Sequence, residues 1–276
     1  MPARLTTLAV VSFLFTACGG AGAAGFAGLA YGLPSPTSAT YVTGDTVVID
    51  MNAMGQIMQV NQSSSATYNT SFATTADGIE VTLTVEDFAA RITQPMAGPV
   101  TADESGIEGP LVFTMGRRGD VTVSTLPTLS GNADMLFGGV SLANQFFPRL
   151  PDAAIAMGDS WTDTTSWEAE EGGGNVSVTV VSNFTVVGDT VVDGRALLKI
   201  DGTARTQMDT RSTTQGMDIF QSIDIASEGY LLWDTQVGLP YESHMTMEGN
   251  GSIEVSAAPE PFSMTLRGQS HSKLRN

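Results

Sequence analysis

Few side chains in this sequence could carry chemistry. There is one cysteine, Cys18, and there are two histidines, His244 and His271. Lys199 and Lys273 are the only lysines. A zinc centre needs several His or Cys ligands, more than are present. No serine stands in a G-x-S-x-G elbow, so no Ser/His/Asp nucleophile is indicated. No glycine loop ending in Lys follows a strand pattern, so phosphate cradling is not indicated. In "MNAMGQIM" (51–58) three methionines are spaced as a soft-metal site could be, but the run reads more simply as strand core. Glu168, Glu170 and Glu171 stand before "GGG" and read as a solvated turn. Asp159 and Asp163 flank Trp161 in "GDSWTDTTS", where a carbohydrate or calcium loop is conceivable. The spaced acids and closing Glu of a calcium loop are missing. Acid-pair hydrolysis requires two carboxylates facing each other across a cleft, which spacing does not give. The expectation is a non-enzymatic protein with no catalytic residue, no metal and no cofactor.

The thiol at position 18 has a different use. Arg4 precedes "LTTLAVVSFLF", an apolar run as long as a signal-peptide core. It is shorter than the roughly 20 residues of a membrane span. Phe15-Thr16-Ala17-Cys18 resembles the lipobox of bacterial lipoproteins, with Phe15 where Leu is usual. The resemblance implies that 1–17 is a signal peptide and that Cys18 is the lipid attachment site. Gly19, which is not Asp, implies the outer membrane by the sorting pattern of enteric bacteria. Two other readings stay open: secretion with cleavage after Ala23, and an uncleaved helix. All three place the body outside the cytoplasm. A lone Cys there forms no internal disulfide, and lipidation accounts for its position.

Residues 18–38, rich in Gly, Ala and Pro, read as a tether. The remainder, 39–270, is long enough for one large β domain, with 271–276 as a fraying tail that includes His271. Net charge is −17, and only 15% of residues are charged. Nucleic acid is strongly disfavoured, and no nucleic-acid partner is expected, because phosphate contact needs Lys and Arg.

Strand patterns dominate the body. In "GIEVTLTVEDF" (78–88), Ile79, Val81, Leu83 and Val85 alternate with Glu80, Thr82, Thr84 and Glu86, which is the period of a half-buried strand. Similar runs recur from 46 to 268. Turn signals separate them at "ADG" (76–78), "RRGD" (117–120), "VVGDTVVDG" (186–194) and "GNG" (249–251). Consecutive strands with short turns predict an antiparallel meander. "AGPVTADESGIEGP" (97–110) reads as an acidic loop. "NADMLFGGVSLANQFFPRLPD" (132–152) is the helix candidate, with Asn132 or Asp134 as cap and Leu136, Val140, Ala143 and Phe147 as its apolar stripe. Gly138-Gly139 weakens it, and Pro148 stops it. Trp161 and Trp167 then fall on one face of a strand. The expected fold is all-β, a curved sheet or half-open barrel in two halves about 132–152, covered by a short helix near 132–147.

"GYLLWDTQVGLPYESHMTMEGNGSIEV" (229–255) resembles the lipoprotein- and lipid-carrier folds of bacterial envelopes, LolA/LolB-like and LppX/LprG-like. "FFPRLPDAAIAMGDSWTDTT" (146–165) is similar to a segment of uncharacterised envelope lipoproteins. The carrier resemblance implies an apolar cavity for a lipid or apolar small molecule. Met217, Ile219, Ile223, Met245, Met247 and Met264 are the lining candidates, since methionine suits varied apolar partners; as residues alone, they equally read as core. His244 alternates with Met245 and Met247 and so faces solvent. The membrane is a partner through the N-terminal anchor. The alternative is a structural protein contacting another envelope component through sheet edges, loops, or an aromatic patch near Trp161, Trp167 or Trp233; no protein partner is named by the residues.

Overall fold

A computed structural model describes residues 29–53, 55–94, 97–214 and 216–275. Three long strands open it: β1 (Ser38–Ala53), β2 (Gln56–Thr74) and β3 (Ile79–Gln94). Short elements follow: β4 (Ala97–Asp103), a 3-10 turn (Glu104–Gly106), β5 (Ile107–Glu108), β6 (Leu111–Met115), β7 (Val121–Thr125) and β8 (Thr128–Leu129). Helices α1 (Ala133–Leu136) and α2 (Gly139–Phe146) come next. The second half holds β9 (Ser160–Glu171), β10 (Gly174–Val192), β11 (Arg195–Thr214), β12 (Met217–Asp234), β13 (Leu239–Val255) and β14 (Phe262–Arg275).

Twelve strands form one antiparallel sheet, ordered β7-β6-β3-β2-β1-β14-β13-β12-β11-β10-β9, with β4 beside β3. The first long strand pairs with the last, in register from Thr40↔Arg275 to Asn52↔Ser263. That contact joins the two half-meanders. The sheet is curved and does not close, because β7 and β9 do not pair.

Side chains alternate between an inner and an outer face. The inner face holds the core, in which Tyr41, Tyr68, Phe72, Phe113, Phe147 and Trp233 are buried. Phe147 is the hub: Tyr31, Tyr41, Phe72 and Phe113 lie 5.6 to 6.4 Å from its ring centre. The outer face is polar. On β11 it presents Lys199, Asp201, Arg205, Asp209 and Arg211. Each basic residue on a lipid-facing strand would cost about 2–4 kcal/mol at mid-bilayer, so this is a water-facing surface.

The seam between the sheet edges is filled by 139–150. Phe137 and Gly138 interrupt the expected single helix, leaving two short ones. The expected stripe does face inward, with Ala143 and Phe147 buried. Neither expected cap acts: Asn132 makes no capping hydrogen bond, and its amide donates to Thr101 O. Instead the carboxylate of Glu171, from β9, caps α2. It accepts from Val140 N at 2.6 Å, Ser141 N at 3.1 Å and Ser141 Oγ at 2.6 Å. Glu171 is therefore not part of a free solvated turn. Trp167 Nε1 donates to Ser141 Oγ and Trp161 Nε1 to Arg149 O, so the same edge strand holds both ends of the seam segment. Glu171→Ala is expected to cost about 1–2 kcal/mol, the loss of a charged cap. Hydrogen exchange at Val140 and Ser141 should accelerate, while exposed Glu170→Ala should leave it unchanged.

Several turn and loop expectations are corrected. Residues 249–251 are mid-strand in β13, since their glycines serve close packing rather than reversal. Of "VVGDTVVDG", only Asp193-Gly194 turns; Gly188 marks a bulge within β10. Residues 51–58 are not one strand: β1 turns into β2 there, at Gly55, with φ 80°, and Met51 pairs with Met58. The expected loop 97–110 contains β4, which pairs with β3. The chain end does not fray, because 271–275 belong to β14, held between β1 and β13. The tether is shorter than expected: Leu29 and Tyr31 are buried, and Tyr31 packs 5.2 Å from Trp233.

Candidate functional site

An open cleft of about 1020 Å³ lies at the end of the sheet where the β9–β10, β11–β12 and β13–β14 connections gather. Its apolar walls come from Leu126, Phe137, Val140, Ile219, Phe220 and Val255. Asp134, Glu170, Asp218, Glu254 and Glu260 give it a strongly acidic rim. Arg211 is the basic residue of the lining, and its guanidinium sits 5.4 Å above the Phe220 ring. Asp218 is held in place, accepting from Thr213 Oγ1. One wall is built by α2, so the Glu171 cap also fixes the cleft's shape.

Below the cleft the inner face continues as a second apolar cluster. Ile223, Met264 and Leu266 are buried there, with Val47, Ile49, Met51, Met208 and Met247 packed against them. Glycines make it possible. Gly249, Gly251 and Gly268 point inward on β13 and β14, and a Cβ on any of them would come within 2.3–2.5 Å of a neighbouring strand's carbonyl oxygen. The strands therefore fold tightly over one another, bringing Ile223 over Gly251 and Ile225 over Gly249. This is how a sheet turns a corner.

The six expected lining residues share the inner face but not one cavity. Register pairs Met247 with Gly268 and Gly251 with Met264, on the same side as Ile223. Ile223, Met247 and Met264 meet in the second cluster. Ile219 lines the cleft. Met217 is half-buried at the start of β12. Met245 faces a separate cavity of about 160 Å³ beside Tyr41, Phe146, Phe184 and Leu231. Cys18 lies outside the described residues.

Among the other residues considered, Asp159 accepts from Ala156 N, and Asp163 accepts from Thr165 Oγ1 and lies 3.9 Å from Arg118. Both serve the seam and its adjoining turn. Among the described residues no group of three or more His, Cys, Asp or Glu could hold a metal ion. His244 and His271 pair directly across β13 and β14 on the outer face, and His244 packs 6.1 Å from Tyr230. Trp161 stacks on Phe184, and Trp233 is fully buried.

Two ionisations report on the interior. Burial pushes the Tyr68 hydroxyl up to about 12, partly offset by a hydrogen bond with Thr43. Burial also raises the Asp45 carboxyl above its ordinary value; Ser64, which donates to it at 3.1 Å, and nearby His271 act the other way. An acid raised by folding lowers stability once it is ionised. The penalty is absent below the unfolded pKa, grows as pH rises through it, and is complete above the folded pKa. Asp45→Asn is therefore expected to raise Tm at pH 7. The gain should shrink towards zero as pH falls to ~3, below the ordinary Asp pKa, in a thermal-melt series across pH.

Apart from Ile219, the residues that line the cleft were not named as a site by sequence reading. Glu171 carried one available signal: it is the last acid of an alternating strand whose inward residues include Trp161 and Trp167.

No protein-family model matches the chain, and no curated protein matches it. Among solved structures it is similar to OccK2 (OpdF) of Pseudomonas aeruginosa, alone and in complex with glucuronate. Identity is 7% over 87% of this chain and 99% of that chain, with TM-scores of 0.25 for the glucuronate complex and 0.24 for the protein alone.

Proposed function

We propose that the chain is a non-enzymatic, lipid-anchored protein of the bacterial envelope that takes an apolar or amphipathic ligand into the cleft. The observation that carries this reading is the continuity of the apolar surface. Ile219 lines the cleft, and Ile223 lies four residues further along the same face of β12, about 13 Å deeper. The cleft's volume is at the upper end of the ligand-pocket range of about 300–1,000 Å³. Its acidic rim favours a ligand whose polar end is neutral or cationic. Anchoring rests on the lipobox-like residues ending at Cys18, and the outer membrane on Gly19.

A specific observation favours a second reading, a structural or interaction protein. The lower interior is filled by aromatic side chains and leaves only about 160 Å³, too little to enclose a lipid. On that reading the cleft and sheet edges contact another envelope component.

Native mass spectrometry of the protein purified without detergent, followed by organic extraction, separates the two. A discrete extra mass that extracts as lipid supports ligand carriage, and Ile219→Asp should abolish it. A clean apo mass, with no uptake on adding envelope lipids, overturns carriage.

A further inference from the structure

The chamber of about 160 Å³ in the lower interior has two unlike walls. Phe146, Phe184, Leu231 and Met245 make an apolar wall, continued by the ring of Tyr41. Ser243 and Ser272 make a polar wall, and they stand directly opposite each other on β13 and β14. Gln145 of α2 also lines the chamber and is exposed, so the mouth opens there.

The apolar wall is held in place. Tyr41 Oη donates to Pro240 O at 3.0 Å. Phe146 stands edge-on to Tyr41 and Tyr68, 5.2 and 5.6 Å away. Phe184 stacks on Trp161 at 5.0 Å. The Met245 sulfur lies against the bare backbone of Gly229, 2.8 Å from where a Cβ would be. Groups already fixed by their neighbours lose little freedom when a ligand arrives.

The polar wall is open. Among the described residues neither serine hydroxyl is hydrogen-bonded to another group, and the one sealed, unpaired side-chain atom is Arg149 Nε. Both hydroxyls are therefore accessible to whatever fills the chamber. Glu242, the charged residue of the lining, is already engaged by Tyr230 Oη at 2.9 Å and by Lys273 at 3.2 Å. The chamber thus offers hydroxyls and no unpaired charge, which suits a neutral polar group.

Size sets the rest. A space of about 150 Å³ lined by aliphatic and aromatic side chains holds one benzene ring. Water in this chamber would meet apolar atoms over most of the wall, and an apolar group displaces poorly ordered water at a gain.

We infer that this chamber binds a neutral monocyclic aromatic alcohol, a molecule of the phenol class: its ring lies among Phe146, Phe184, Leu231 and Met245, and its hydroxyl bonds Ser243 and Ser272. The site is separate from the cleft and too small for a lipid. Gln145 and Phe146 end the helix whose first residues, Gly139 and Val140, wall the cleft. An occupant of the chamber therefore contacts the element that shapes the cleft.

Isothermal titration calorimetry of the full-length chain with phenol, and with toluene as its isostere lacking the hydroxyl, tests the site. Both are expected to bind, at a single site per chain. Ser243→Ala combined with Ser272→Ala should weaken phenol about tenfold and toluene less than about twofold, as lost hydrogen bonds to the ligand require. Gln145→Trp should block both at the mouth. Ile219→Asp, in the cleft, should change neither. Absence of phenol binding overturns the inference, and so does phenol affinity that survives the double serine replacement. Loss of phenol binding in Ile219→Asp would move the ligand to the cleft and overturn the chamber site while leaving ligand carriage standing. If the serine variant loses its far-UV circular dichroism, Gln145→Trp decides, because its position is exposed: binding that survives it overturns the site.

Discussion

Replacing Gly229 by alanine is expected to prevent stable folding or to cost more than about 3 kcal/mol, at the severe end of overpacking. Gly229 sits on the inner face of β12 opposite Met245. A Cβ there would lie 1.9 Å from His244 O and 2.8 Å from Met245 Sδ. The sulfur can swing away, but the carbonyl cannot, because β12 and β13 are paired along almost their whole length. Relief requires the two strands to separate. Gly249, Gly251 and Gly268 stand in the same situation. Gly98 is the control, since nothing lies within 4 Å of a Cβ there. Urea melts of Gly229→Ala and Gly98→Ala side by side should show a large loss for the first and almost none for the second. Equal, small effects would mean that the corner does not depend on a bare backbone.

Phe147→Ala is expected to cost about 3–5 kcal/mol, the usual range for a buried Phe→Ala replacement. The side chain is 1% exposed and sits in the segment that fills the seam. Its ring partners include Tyr41 on β1, Phe72 on β2 and Phe113 on β6, and Phe146 sits 4.9 Å away at the end of α2. The hole would open near the small cavity bordered by Phe146 and Tyr41. Near-UV circular dichroism should lose its aromatic signal early in a denaturant titration, ahead of the far-UV band, as the seam loosens before the sheet. A two-state transition with wild-type midpoint would show that Phe147 is not the hub.

The strands were legible because alternation is local. Ile79, Val81 and Leu83 were expected on one face, and all three are buried in β3. The inner-face set on β12 to β14 followed from the same period, although the residues divide among three surroundings. The helix was legible by position but not by continuity, because Gly138 and Gly139 do more than weaken it. Gly138 lets the chain approach Glu171, whose carboxylate oxygen would be 3.0 Å from a Cβ there, and Gly139 lets it approach Leu126. Glycine was the least legible residue. "RRGD" and "GNG" look alike as turn signals, yet Gly119 has φ 92° in a turn while Gly249 and Gly251 are mid-strand. The difference is the neighbouring strand, which is distant in sequence.

By itself the sequence determined the class of the fold, an antiparallel all-β body with one short helical insertion, since period, turn chemistry and helix breakers act within a few residues. It also determined that nucleic-acid binding is disfavoured and that thiol chemistry is confined to position 18. Tertiary structure decided the rest. Pairing of β1 with β14, more than two hundred residues apart, makes two meanders into one sheet. Glu171 becomes a helix cap because folding carries the end of β9 to the start of α2. The cleft exists because three strand connections and the segment around the two helices converge at one end of the sheet. These are long-range contacts, formed after loop closure and fixed by burial and sterics, which no local pattern of residues encodes.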